Sequence, residues 1–236
     1  PCVGSFLGVV VMRLPAGRPV FWGRSACPHC GRRLDVRDLI PLVGWLVSHG
    51  RCRTCGGALG LFYPAIELLA LLVALWSLVV VPGWPAWVTC ALGWTLLALA
   101  AIDWRHLILP DSLTLPLVPA GLAAAWWLRP ERLIDHAAGA AAGFLFLVLV
   151  GAAYHRLRGR HGMGLGDAKL LAAAGAWVSW QGLPSVVLWG AAAGLLGALV
   201  QARLGGGLNP HRELAFGPYL AAGLWLVWLY GPLGFA

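Results

Sequence analysis

Long apolar runs, separated by short clusters of Arg, Gly and Pro, dominate this chain. Six of them, near residues 63–81, 88–102, 112–128, 134–153, 184–202 and 214–231, approach the roughly 20 mostly apolar residues that a helix needs to cross about 30 Å of hydrocarbon. A shorter run covers 168–180. The chain opens with PCVGSFLGVVVM, which is apolar but only about half a span long. Pro1 stands where an initiator Met would be expected, so this opening reads as a truncated first helix, residues 1–12. No cleavable signal pattern is visible, and the spans themselves would direct insertion. The pattern predicts an all-α polytopic membrane protein with about eight transmembrane helices, the first one truncated. Residues 13–62 form the one polar segment of any size, and 63–236 the membrane-embedded part.

Composition agrees: 60% of the residues are hydrophobic, 11% are charged and 14 are Trp. A soluble core of this size does not need so little polar surface. The formal net charge of +8 then takes on a positional meaning. With eight spans, every one of the 17 Lys and Arg residues except Arg129 and Arg132 falls on one side of the membrane. Lys and Arg in short loops mark the cytosolic side, so 13–62 is expected to be cytosolic. Each basic residue near an anionic lipid surface contributes about 1 kcal/mol. Membrane lipids thus account for the charge, and no nucleic-acid partner is needed.

The polar segment holds two Cys-x-x-Cys pairs, CPHC at 27–30 and CRTC at 52–55. Two such pairs about 20 residues apart suit a tetrahedral four-thiolate zinc site, each pair gripping one edge of the metal. Cys27, Cys30, Cys52 and Cys55 are therefore the predicted ligands of a structural zinc. Four thiolates leave no open position for catalysis, and a segment this short has little core of its own. Cys2 and Cys90 lie in apolar runs and read as packing residues.

Two aspartates sit where an apolar chain should avoid them. Asp103 ends the run 88–102, and Asp167 follows a Gly-rich turn containing Gly162, Gly164 and Gly166. A carboxylate at mid-bilayer costs roughly 2.5–3.5 kcal/mol on insertion scales, so such residues usually have a function. Read alone, Asp103 before Trp104, Arg105 and His106 fits a helix end, and Asp167 beside Lys169 fits a capped helix start. In the eight-span reading both reach the same, cytosolic face, which makes them a candidate pair. Asp111, in Leu109-Pro110-Asp111, fits a cap for a helix beginning at Ser112. Its place after Asp103 also makes it a candidate for an active-site loop, with Gly164, Gly166 and Lys169. Glu67 enters an apolar span after Tyr63 and Pro64, either to pair with an Arg of the polar segment or to line a pocket.

Seven ordered blocks bear a resemblance: GSFLGVVVMRLP at 4–15, CPHC with CRTC, LIPLVGWLVSHGRCRTC at 39–55, FYPAIELLALL at 62–72, IDWRHLILPDSLTLP at 102–116, GMGLGDAK at 162–169 and AFGPYLAAG at 215–223. Together they resemble the bacterial type IV prepilin leader peptidases, membrane aspartyl proteases of the GxGD type. The resemblance implies that Asp103 and Asp167 are the catalytic pair and that 63–236 is the protease domain. Relatives with the Cys-rich segment cleave a short basic leader and then methylate the new N-terminus with S-adenosylmethionine. That implies the same second activity here, with Gly50 and Arg51, and Glu67 beside them, as methylation-linked residues. Departures are small: Gly8 stands where Asn is common, and Arg51 where Lys is often seen. Partners implied are type IV prepilin or pseudopilin precursors.

The chemistry has its own logic. Peptide hydrolysis by two carboxyls needs one ionised, to take a proton from water, and one protonated, to polarise the scissile carbonyl. Close like charges cannot both ionise, so such a dyad shares a proton. Two alternatives differ in class or substrate: a non-enzymatic, zinc-stabilised membrane carrier or scaffold, and a GxGD intramembrane protease acting on another substrate. A carrier would need a path across the membrane, whereas both acids are placed at one face.

Overall fold

The computed structural model describes residues 2–23, 25–159, 164–203 and 215–234. Gly162, Arg24, Arg160 and Arg212, all used above, lie outside the described residues. Helices dominate: α1 (Cys2–Arg13), α2 (Val43–Val47), α3 (Phe62–Val80), α4 (Pro85–His106), α5 (Asp111–Leu128), α6 (Leu133–Arg158), α7 (Leu165–Gln201) and α8 (Gly217–Tyr230). By length and composition, four helical stretches can cross a membrane: Phe62–Val80, Pro85–His106, Pro130–Arg158 and Leu165–Gln201. The chain is an all-helical membrane protein. Eight such helices are not found among the described residues. α1 and α8 are short, with 12 and 14 residues, and α5 is diluted by Asp111, Ser112, Thr114 and two prolines. The runs 168–180 and 184–202 belong to one element, α7.

Two compact units divide the chain, Pro1–Ala98 and Leu99–Ala236. In the first, α1 packs on α3 through small residues. A Cβ on Gly4 would lie 2.5 Å from the Glu67 Cα, and one on Gly8 would lie 3.1 Å from the Tyr63 ring. Small residues let helix backbones approach closely where lipid gives no hydrophobic drive to associate. Trp94 of α4 donates its indole N–H to the Ala70 carbonyl at 2.9 Å. Pro64 and Pro85 sit in the first turns of α3 and α4, where a missing amide hydrogen costs no helical bond.

The second unit is built around α7, which packs against α5, α6 and α8. Against α6 the approach is close enough that Gly139 and Gly175 each leave no room for a Cβ on the other side. The two runs, read as separate spans, are divided by a break at Ser179 (φ 61°, ψ 177°), at the end of the first, and helical structure runs on through Pro184. A break of this kind strands a carbonyl from its helical partner. The buried His136 of α6 places Nδ1 2.9 Å from the Ala176 carbonyl. Since a carbonyl only accepts, Nδ1 carries the proton there. Trp177 donates to the Leu117 carbonyl at 2.9 Å and stacks edge-on against Trp228, tying α5, α7 and α8.

Candidate active site and metal centre

Asp103 ends the last turns of α4 and is buried, 6% exposed. Its Oδ2 accepts a hydrogen bond from the Gly217 backbone N–H at 3.0 Å. That amide belongs to the first residue of α8, one of the donors a helix start leaves without an internal partner. Gly217 is required by space: a Cβ there would stand 2.7 Å from Asp103 Oδ2 and 3.2 Å from Leu109 Cδ2. Asp167 lies in the first turn of α7, half-buried, with the Gly164 amide facing its carboxyl. Asp103 is within electrostatic reach of it. Leu109 joins the two sides, since a Cβ on Gly166 would meet the Leu109 Cβ at 2.9 Å. Three helix ends, α4, α7 and α8, thus converge with the loop before α5.

The neighbouring charges differ from expectation in one respect. Asp111 does not cap its helix: α5 begins at Asp111 itself and has no side-chain cap bond. Its carboxylate is drawn instead to Lys169 of α7, with Nζ and Oδ1 2.6 Å apart. Lys169 therefore neutralises Asp111 rather than Asp167. Both side chains are solvent-accessible, so the pair positions more than it stabilises.

The four predicted thiols come together. Their Sγ atoms all lie within 4.8 Å of one another, with Cys27 to Cys55 and Cys30 to Cys52 each at 3.9 Å. A tetrahedron of sulfurs about 2.3 Å from zinc has edges of about 3.8 Å, so the cage fits that metal. The chemistry of the donors points the same way. The Cys55 and Thr54 amides pull the Cys52 thiol down to about 6, against its burial. At Cys55 the Gly57 amide favours the thiolate, yet burial and the Cys30, Cys52 and Cys27 sulfurs outweigh it and push the thiol up to about 11. Four thiolates cannot share this volume without a cation.

The two halves of the cage are copies. Cys27 N–H donates to the Arg32 carbonyl at 2.8 Å, and Gly31 N–H donates to the Cys27 carbonyl at 3.0 Å. Cys52 with Gly57 and Gly56 with Cys52 repeat both bonds at 2.9 Å. Gly31 and Gly56 hold φ of +70° and +69°, which only glycine adopts at little cost. Short bridges, Ala26 with Arg33 and Arg51 with Ala58, close each knuckle. Asp38 joins the halves: it pairs with Arg32 of the first at 2.7 Å and Arg53 of the second at 3.1 Å. Arg32 also reaches Thr54 at 2.9 Å.

The methylation-linked candidates separate. Glu67 is buried and accepts the Leu42 backbone N–H at 2.7 Å, so it holds a turn whose residue Leu42 has φ 62°, and no ion pair with an Arg is found among the described residues. Gly50 faces the Trp45 ring at φ +67°, and its carbonyl accepts from Leu59 at 2.7 Å. Arg51 is exposed at the edge of the second knuckle. Sequence reasoning overlooked Gly217, Leu109 and the Asp38 network. A CxxCG repeat was the available signal for the knuckles, while Gly217 offers none beyond the AFGP block.

The bacterial peptidase A24 N-terminal domain family matches residues 1–81, and the type IV leader peptidase family matches residues 90–199. A prepilin leader peptidase/N-methyltransferase of Aeromonas hydrophila is 39% identical, over 97% of this chain and 87% of its own length. The chain belongs to the type IV leader peptidase family. Proteins of the same description from Dickeya chrysanthemi and Pseudomonas aeruginosa are 42% and 36% identical, covering 93% and 97% of this chain and 86% and 87% of theirs. No solved structure matches. Within this family the position of Asp103 and Asp167 at one cluster of helix ends is the feature with direct chemical meaning. The Cys cage falls in the part matched by the N-terminal family, away from both acids in sequence.

Proposed function

We propose that this chain is a membrane aspartic endopeptidase that removes the leader of type IV prepilin-like precursors, and that it N-methylates the amino terminus so exposed. The observation that carries the reading is the convergence of Asp103 and Asp167, remote in sequence, on a spot shared by Leu109 and the Gly217 amide. Water held between the two carboxyls loses a proton to the ionised one as its oxygen attacks the scissile carbonyl. The protonated carboxyl hydrogen-bonds that carbonyl oxygen and later a proton passes to the leaving nitrogen. The Gly217 amide holds one oxygen of Asp103, leaving the other to face substrate. Gly164 and Gly166 present backbone without side chains beside Asp167, which suits close approach of an extended peptide.

In this reading residues 1–12, 13–62 and 63–236 are a first membrane helix, a zinc-binding domain and the protease domain. The chain crosses the bacterial inner membrane about eight times, and domain 13–62 and the dyad share the cytosolic face. Cys27, Cys30, Cys52 and Cys55 hold the zinc, which cross-links the domain and supplies no reaction step. S-adenosylmethionine is the methyl donor; with Glu67 committed to Leu42, Gly50 and Arg51 are the methylation-linked residues to probe first. The test is direct. Purified protein in proteoliposomes is incubated with a prepilin and S-adenosylmethionine, and the product is weighed by mass spectrometry. Loss of the leader followed by the gain of one methyl group is expected, and an unchanged prepilin would end the proposal.

A further inference from the structure

The stretch between α1 and the first knuckle turns back along α1. Its reversal is a Schellman turn: Arg18 N–H donates to the Arg13 carbonyl at 3.0 Å, Gly17 N–H donates to the Leu14 carbonyl at 3.1 Å, and Gly17 takes φ +63°. The returning strand lays Phe21 on Phe6, with ring centroids 5.8 Å apart. Phe6 lies seven residues before Arg13, about 10 Å down the helix axis. Its depth can be read from α3 as well, since Gly4 and Gly8 on either side of it meet Glu67, Ala70 and Tyr63. Residues 63–70 are the opening turns of a membrane-crossing helix. Phe6, and the Phe21 ring on it, are thus level with about the first turn inside that span, roughly 5 Å below its start.

Two further observations bear on what surrounds this strand. Phe21 and Trp22 are 83% and 81% exposed, unusual for aromatic rings in a loop that water would solvate. Protein also meets three of the strand's five carbonyls: Arg13 Nη1 stands 3.3, 3.4 and 3.2 Å from the carbonyl oxygens of Pro19, Trp22 and Gly23. Irregular backbone is kept out of the hydrocarbon unless it is covered, so the strand's backbone lies at the headgroup boundary, where protein covers part of it, and only its rings reach deeper. Arg13 supplies that cover from the last turn of α1 while its own charge stays near the headgroups, beside the exposed Arg18. We infer that residues 19–23 form an aromatic wedge seated in the lipid of the leaflet nearest the Cys-rich segment, with Phe21 and Trp22 among the acyl chains. The wedge fastens the knuckles to the bilayer surface, and this does not depend on the peptidase reading.

The test places the photo-crosslinker p-benzoylphenylalanine at Trp22 in the full chain, reconstituted in vesicles of phosphatidylethanolamine and phosphatidylglycerol. A second version carries it at Phe21, so that loss of one variant leaves the other. The same group at Arg33, exposed on the first knuckle, is the reference. Irradiation should add the mass of one phospholipid to the peptide containing position 21 or 22 and leave the position 33 peptide unmodified. Cross-links from position 21 or 22 to residues 99–234 of the same chain would assign the surface to the rest of the protein and overturn the inference. Lipid adducts no more abundant than at position 33 would overturn it equally.

Discussion

The thiol cage and the acid site solve one problem, bringing four or two reactive groups together, in opposite ways. The cage is local: two copies of one knuckle, each closed by its own backbone bonds, with Asp38 bridging Arg32 and Arg53 across the join. The acid site is distributed: Asp103, Asp167 and Gly217 come from the ends of different helices, and Leu109 from the loop before α5. A local site carries its geometry in a short stretch. A distributed site depends on every packed helix beneath it, here on contacts such as Gly139 with Gly175 and Trp177 with the Leu117 carbonyl. Damage to the first should therefore stay local, while small displacements in the second should reach the chemistry.

The sharpest separation comes from removing titrating carboxyls. Asp103→Asn and Asp167→Asn should each lower leader cleavage by at least about 10²–10⁴-fold, the scale of general acid–base catalysis. Metal content should be unchanged. Prepilin cleavage followed by mass spectrometry checks the first, elemental analysis the second, and normal cleavage by either variant would remove the dyad.

Next in size is Gly217→Ala. The new methyl would stand 2.7 Å from Asp103 Oδ2, and a misplacement of about 1 Å at a reacting group can cost on the order of 100-fold. The turnover rate should fall far more than the substrate affinity, because the contact is with the acid itself. Equal losses in both would mean that the whole α8 end had shifted.

Cys30→Ser tests the other side of the comparison. Metal should drop from about one per chain toward none, and hydrogen exchange should rise first in residues 25–58. Cleavage should fall much less than in the aspartate variants, with methylation affected more. A metal-free variant that exchanges slowly and methylates normally would show that the two copied knuckles hold by themselves.

The smallest effect is expected from Lys169→Met. An exposed ion pair contributes about 0.2–1 kcal/mol, and the loss of its 2.6 Å contact with Asp111 should lower thermal stability only slightly. A reduction in cleavage as large as that from Gly217→Ala would move Lys169 from a strut between α5 and α7 to a participant at the dyad.

How much of this was legible in the sequence follows the same division. Four cysteines in two spaced pairs describe their own site, and the structure gathers them as a set. The aspartates stood out because charge in apolar runs is costly, although only tertiary packing reveals which oxygen of Asp103 is held. Gly217 carries no side chain to signal a role. Asp111 looked like a cap because the motif ends before Ser112, and a cation on another helix drew it away. The end of the run at 180 lies beside the break at Ser179, but serine has no local reason to adopt φ 61°, and the packing against α6, with His136 at the Ala176 carbonyl, was not legible. The count of about eight spans rests on reading the two runs of α7 separately and the shorter helices as crossings, whereas length and composition single out four helical stretches among the described residues.

The bond from the Gly217 amide to Asp103 has a consequence for how the protein comes into being. A nascent chain has both aspartates once residue 167 has been made, yet the donor that fixes one of them is synthesised later, at the start of α8. Until α8 docks, Asp103 lacks the amide that holds it. A product stopped before residue 217 would carry both aspartates without the amide that orients the first of them.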